Sequence, residues 1–284
     1  MKELSSEFSI LFMCRYFKVS PSGYYSWCSR PESNRSKENK KILEEIKVIH
    51  IKSKKRYGAP RIHVSLKKSG LACSKTRVAK LMRSEGLRGL QAKSFKPSTT
   101  DSNHKKRISP RIFDNVEVTP TRPNEVWVSD ITYVPTKQGW VYLFMVLDVF
   151  TRKITGHTLS ENMGAENLRI SFLNSLRNSK TVVKDVIFHS DQGAQYCETE
   201  FRKLLKLTST VQSMSRRGNC YDNAYAESFF HSMKAELNVK VFETKKNAKK
   251  EIEEYIEWYN AERLHSSLDY MSPVEYEEYI TMVA

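Results

Sequence analysis

The stretch GWVYLFMVLDVFT, residues 139–151, constrains the fold more than any other. It is apolar almost throughout until Asp148, which predicts a strongly buried strand that other elements must cover. A membrane-spanning helix needs about 20 apolar residues, and this run stops well short of that. A strand precedes it (EVWVSDITYVP) and another follows it (KITGHTLS) after a short turn near Arg152. Next come a helix with Leu168, Phe172 and Leu176 at i, i+4 and i+8, the strand DVIFHSDQG, the helix ETEFRKLLKL, the strand TSTVQSM, and a helix within GNCYDNAYAESFFHSMKAEL. Three strands followed by α-β-α-β-α predict an α/β fold: a mixed five-stranded sheet flanked by helices. A long helix (KKNAKKEIEEYIEWYNAERLH) and a short one after Pro273 end the chain.

The 284 residues exceed what one domain usually holds, and the front differs in kind from the sheet region. Residues 5–28 suggest one or two short helices, with Ser20 as N-cap and Pro21 at the first helical position. Residues 36–54 predict a charged helix with Ile42, Ile46 and Ile49 on one side. Pro60 can open a helix that runs to about Lys68, where Gly70 stops it. Ser74 then caps a second helix carrying Val78, Leu81 and Met82, and Gly86 ends it. Helix, short Gly-containing turn, helix is a helix-turn-helix pattern, equally written as an ordinary helical hairpin with a solvated basic face. In the DNA-binding reading Arg61 on the first helix, and Lys75, Arg77 and Lys80 on the second, are the contact residues. The domains predicted are an N-terminal helical segment (1–35), a helix-turn-helix domain (36–89), a basic Pro-containing linker (90–121), an α/β core (122–240) and a C-terminal helical extension of that core (241–284).

Charge supports a polyanionic partner. The net charge is +15, but residues 1–121 hold 27 Lys and Arg against 10 Asp and Glu, whereas residues 122–284 hold 20 against 22. A basic excess confined to the front attracts nucleic acid. An acidic membrane surface is the weaker choice, since no basic amphipathic helix with a strong apolar face stands out. The five cysteines are scattered and form no C-x-x-C pair, which argues against a zinc finger or disulfide framework and fits a reducing cytoplasm. No secretory signal is legible at the N-terminus.

Acidic residues on apolar strands point to chemistry. Asp130 lies inside VWVSDITYV and Asp191 follows VIFHS. A carboxylate within a sheet is costly unless paired, protonated or bound to metal. The structural alternatives are a solvated edge-strand face for Asp130 and ordinary turn chemistry for Asp191. In the following helix Ala226, Phe230, Met233 and Leu237 form a narrow apolar stripe, with Glu227, His231 and Lys234 aligned about 100° away. Glu227 thus sits at the border of core and solvent, where it could equally be one of an exposed Glu–His pair. Asp222 and Asn223 have a capping role open to them, and His189 beside Asp191 reads as a strand-end group more readily than as one that orients a ligand. Carboxylates from two strands and a helix can hold divalent ions through hard oxygen ligands, and Mg²⁺ suits such a site. Two ions can clamp the attacking and leaving oxygens of a phosphodiester.

WVSDITYV, HSDQGAQY and GNCYDNAYAESFFHSMKAE resemble, in order and spacing, the three acidic motifs of DDE transposases with a retroviral-integrase-like core. More narrowly, nearly the whole chain, from CRYFKVSPSGYYSW and RYGAPRI to WYNAERLHSSLDYMSPVEY, resembles the second-frame proteins of bacterial insertion sequences that move by copy-out, paste-in transposition. Tyr221 departs from the Trp that such proteins often carry. The resemblance implies an RNase H-like fold, Asp130, Asp191 and Glu227 as catalytic metal ligands for two Mg²⁺ (Mn²⁺ substituting), and Lys234 as a contact to terminal DNA. It further implies double-stranded DNA as partner, a homo-oligomer on that DNA near the bacterial nucleoid, and an upstream-frame protein or fusion segment that supplies DNA-binding and oligomerisation functions. Two other readings share these residues: a nuclease of the same fold using water alone on RNA–DNA hybrids or junctions, and a DNA-binding regulator or incomplete subunit.

Overall fold

The computed structural model describes residues 1–90, 108–110, 112, 119–179, 184–215 and 224–283. Two compact units divide the chain, Met1–Arg88 and Gly89–Ala284.

The first unit is helical: α1 (Ile10–Tyr16), α2 (Pro21–Ser29), α3 (Asn34–Lys52), α4 (Ala59–Lys68) and α5 (Lys75–Ser84). Local chemistry sets the boundaries. The Ser20 hydroxyl accepts from the Gly23 N–H at 3.0 Å at the start of α2, and Ser74 accepts from the Arg77 N–H at 3.2 Å at the start of α5. Gly70 and Gly86 follow α4 and α5 with φ of +82° and +67°, a region a side chain disfavours. Ile42, Ile46, Ile62, Leu66, Val78 and Met82 are buried and form the core of the α3–α5 bundle. The buried line on α3 continues through His50 rather than Ile49, which is half-buried. His50 can be buried because its Nε2 pairs with the Arg88 carbonyl at 3.0 Å.

The second unit holds β1 (Val126–Thr136), β2 (Gly139–Asp148), β3 (Ile154–Ser160), α6 (Ala165–Asn178), β4 (Ile187–Ser190), α7 (Thr199–Leu207), β5 (Val211–Met214), α8 (Ala224–Leu237), α9 (Lys245–Ala261) and α10 (Pro273–Val283). The sheet order is β3-β2-β1-β4-β5. β1 pairs antiparallel with β2 and β2 with β3, while β4 is parallel to both β1 and β5. This is the RNase H-like arrangement.

Side chains alternate across the sheet. Val126, Val128, Leu143, Met145 and Leu147 join α8 and α9 in one core, which includes Phe229, Phe230, Met233, Ile252 and Tyr255. Trp127, Phe144, Val146 and Phe188 join α6 and α7 in the other, through Leu168, Phe172 and Phe201. β2 is buried on both faces for this reason, and its sequence lacks alternation. Gly156 lets α6 come close to β3, because an added Cβ would meet the Ser171 carbonyl oxygen at 2.1 Å. The long tail helix ends at Ala261 rather than near His265. Beyond it the chain turns inward, and Arg263 and Leu264 are buried.

Candidate active site

Asp130 occupies the middle of β1, opposite Met145 of β2. By the two-residue alternation it shares the face of Val126 and Val128, the face covered by α8. β1 is an interior strand with neighbours on both sides, so the edge-strand alternative for Asp130 does not apply. β4 runs parallel to β1 with Val128 beside His189. Two residues further along each strand lie Asp130 and Asp191, so the parallel register brings them to the same level. Asp191 closes a tight turn, its Oδ1 accepting from the Gly193 N–H at 2.9 Å. Glu227 stands in the first turn of α8. The apolar stripe of that helix is as expected at Ala226, Phe230 and Met233, all buried, and it is widened by Phe229. Glu227, His231 and Lys234 fall on the exposed side of it. Tyr221, Asp222 and Asn223 lie outside the described residues.

Electrostatics tie the three acids together. Burial pushes the Asp130 carboxyl up to about 8, and the charges of Asp191 and then Glu227 add to the rise. The Ile131 N–H, donating to Asp130 Oδ1 at 2.8 Å, and the Lys234 ammonium oppose it. Burial also raises Glu227. Crowding lowers Lys234 from its ordinary value, and the Asp130 charge pulls it back. Asp148 is the instructive contrast. Burial raises it too, but its oxygens accept from the backbone N–H groups of Thr151, Asn124 and Phe150. A carboxylate met by backbone donors holds a turn; one that faces other carboxylates needs a cation or a proton.

Three hard carboxylates fit a divalent cation by donor chemistry. Among the described residues no group of three His, Cys, Asp or Glu side chains is drawn together tightly enough to enclose an ion.

The support behind the site was not legible in the sequence. On the opposite face of β1 from Asp130, Tyr196 Oη lies 3.1 Å from Ser129 Oγ, both buried. Burial, and then Asp130 and Asp191, raise the Tyr196 phenol well above its ordinary value, so it stays neutral. Gln192 Nε2 donates to the Ser215 carbonyl at 3.0 Å, tying the Asp191 turn to the end of β5. His189 is buried in β4 with Nδ1 2.9 Å from Ser213 Oγ of β5, a cross-strand role within the sheet.

In the helical unit Lys75 and Lys80 are exposed on α5, and Arg61 is half-buried on α4 with its guanidinium over the Tyr57 ring at 5.6 Å. Arg77 is placed differently. Its guanidinium donates to Asn39 Oδ1 at 2.8 Å and Glu38 Oε2 at 3.0 Å, bracing α5 against α3.

The integrase core domain family matches residues 120–220, a second integrase core domain family matches residues 209–273, and an HTH-like domain family matches residues 37–95. An insertion element IS600 31 kDa protein of Shigella sonnei is 39% identical over 94% of this chain and 97% of its own length. The transposase for insertion sequence element IS904 of Lactococcus lactis is 39% identical over 88% of this chain and 98% of its own. Transposase InsF for insertion sequence IS3A of Escherichia coli is 35% identical over 96% of this chain and 95% of its own.

Proposed function

The chain belongs to the insertion-sequence transposase family, and from that premise we propose that it cuts and joins DNA strands with Asp130, Asp191 and Glu227 as its catalytic carboxylates. The observation that carries this reading is that the parallel register of β1 and β4 brings Asp130 and Asp191 to the same level, on the face over which α8 packs with Glu227 in its first turn.

The chemistry that two Mg²⁺ ions, or Mn²⁺ in their place, supply when bound by these carboxylates is charge stabilisation at the attacking and leaving oxygens of a phosphodiester. The protein residues fix where that happens. Asp130 is held by sheet pairing on both sides, Asp191 by its turn, and Glu227 by the packed stripe of α8. Lys234, two turns beyond Glu227, offers a cation to the DNA phosphate at the edge of the site. Water attacks first and frees a 3′-hydroxyl at the element end. That hydroxyl then attacks a second phosphodiester, forming one P–O bond as another breaks, so joining needs no external energy source.

Lys75, Lys80 and Arg61 of the helical unit bind duplex DNA, with Arg77 as the brace of the recognition helix. The same reading has the chain acting as a homo-oligomer in the bacterial cytoplasm at the nucleoid, with an upstream-frame protein or fused segment as partner. An assay of end cleavage and strand joining in Mg²⁺ tests it. Asp191→Asn is expected to abolish both steps while leaving DNA binding and melting temperature near wild type; full activity in that variant would overturn the assignment.

A further inference from the structure

The turn between β2 and β3 carries an arginine in a conformation that does not suit it. Arg152 has φ of +63°, the left-handed region usually left to glycine or asparagine. The turn around it is fastened on three sides. Asp148 accepts from the backbone N–H groups of Phe150 at 2.7 Å and Thr151 at 2.9 Å. Lys153 Nζ meets Glu277 of α10 at 2.6 Å in a buried ion pair, and the Ile154 N–H donates to Asn260 of α9 at 2.9 Å. From this fixed base the Arg152 guanidinium lies over the ring of Tyr225, 4.0 Å from its centroid. Tyr225 is the second residue of α8, two before Glu227. A cation at a helix N-terminus opposes the helix dipole, so the ring rather than the helix end favours this placement.

We propose that Arg152 is a positioning residue for Glu227, clamping Tyr225 so that the first turn of α8 cannot rotate. The inference rests on the catalytic reading above and deepens it. Successive helical residues are 100° apart, so Tyr225, Ala226 and Glu227 point in three different directions. Ala226 is fully buried against the sheet and Tyr225 is held by Arg152. With two of the three directions fixed, the third is fixed as well. A carboxylate about 6 Å from the helix axis moves by roughly 2 Å when the turn rotates by about 20°. Misplacement of about 1 Å at a reacting centre can lower a rate on the order of 100-fold.

The test compares R152A, R152K, Y225A, Y225F and R152A/Y225A on element-end DNA, with single-turnover joining measured across a Mg²⁺ series. R152A and Y225A are each expected to slow joining by about 10- to 100-fold and to raise the half-saturating Mg²⁺ concentration, with R152K slowed less than R152A. Y225F, which keeps the ring, stays near wild type, as do the melting temperature and DNA affinity of all five variants. The double variant is no slower than the slower single variant. Joining abolished in R152A but kept in Y225A, or additive effects in the double variant, would overturn the clamp. If wild type itself neither cuts nor joins, the catalytic reading fails separately, and hydrogen exchange at residues 226–230 decides on the clamp alone. Faster exchange in R152A supports it, and unchanged exchange overturns it.

Discussion

At the residue scale, the difference between a proposed ligand and a structural acid is the difference between Asp130 and Asp148. Both are acids on apolar strands, and only Asp148 is met by three backbone donors. The raised value of Asp130, about 8, has a consequence for stability. Between its ordinary value and about 8 the folded protein holds this proton more tightly than the unfolded chain does, so the metal-free fold weakens as pH rises through that window. Asp130→Asn removes the effect. The variant is expected to be more stable than metal-free wild type at pH 8–9, by about 1–3 kcal/mol after allowance for partial solvent access, and the two are expected to converge near pH 4. Mg²⁺ is expected to stabilise wild type at pH 8 and not the variant. Thermal melts across pH, with and without Mg²⁺, check this; a gap that does not change with pH would contradict it. Glu236 is a residue whose role the sequence conceals. On α8 it reads as one more surface acid, yet it is buried against Arg263, 2.8 Å away, and accepts from Tyr255 Oη at 2.9 Å. Its partner lies 27 residues onward in a tail with no periodic signal to place it. Glu236→Ala would strand the Arg263 charge and is expected to destabilise the fold by about 3–5 kcal/mol, read by chemical denaturation. A loss under about 1 kcal/mol, the worth of an exposed pair, would show that the pair is effectively solvated.

At the scale of elements, the strands and helices were legible where periodicity and capping agreed. β2 announced itself by its unbroken apolar run, and α5 by Ser74 before it and Gly86 after it. The stripe of α8 was legible too, because Phe230 and Met233 follow helical spacing. Two things were not legible: where α9 stops, since the sequence after Ala261 keeps good helix formers while the chain turns in to bury Arg263, and which of the basic residues on α5 face outward. Arg77 sits one turn from Lys80 and has the same charge, but Asn39 and Glu38 on α3 take up its guanidinium. Only the packing of α3 on α5 separates the two. The prediction follows that distinction. K75A/K80A is expected to weaken duplex binding by the helical unit and to reduce the slope of log affinity against log salt by about 2, one for each phosphate no longer neutralised. Arg77→Ala is expected to act on stability first, with a slope near wild type. Titrations at several salt concentrations distinguish the two; a slope reduced by a full unit in Arg77→Ala would assign it to the DNA.

For the whole molecule, charge follows the fold division. Met1–Arg88, the helical unit, holds 21 Lys and Arg against 7 Asp and Glu, whereas Gly89–Ala284, which carries the sheet and the acids, holds 26 against 25. In the proposed reading duplex binding rests mainly on the helical unit and the chemistry on the sheet unit, and that separation makes the central claim testable. If Asp191 binds the catalytic metal, changing its oxygen ligand to sulfur should change which metal works, since soft thiolate favours softer ions than Mg²⁺. The decisive measurement is end cleavage and joining by Asp191→Cys in Mg²⁺ and in Mn²⁺, beside Asp191→Asn as control. The expected result is that Asp191→Cys is inactive in Mg²⁺ and partly restored in Mn²⁺, with Asp191→Asn inactive in both and DNA binding intact throughout. Activity of Asp191→Cys in Mg²⁺ equal to wild type would show that Asp191 does not hold the metal.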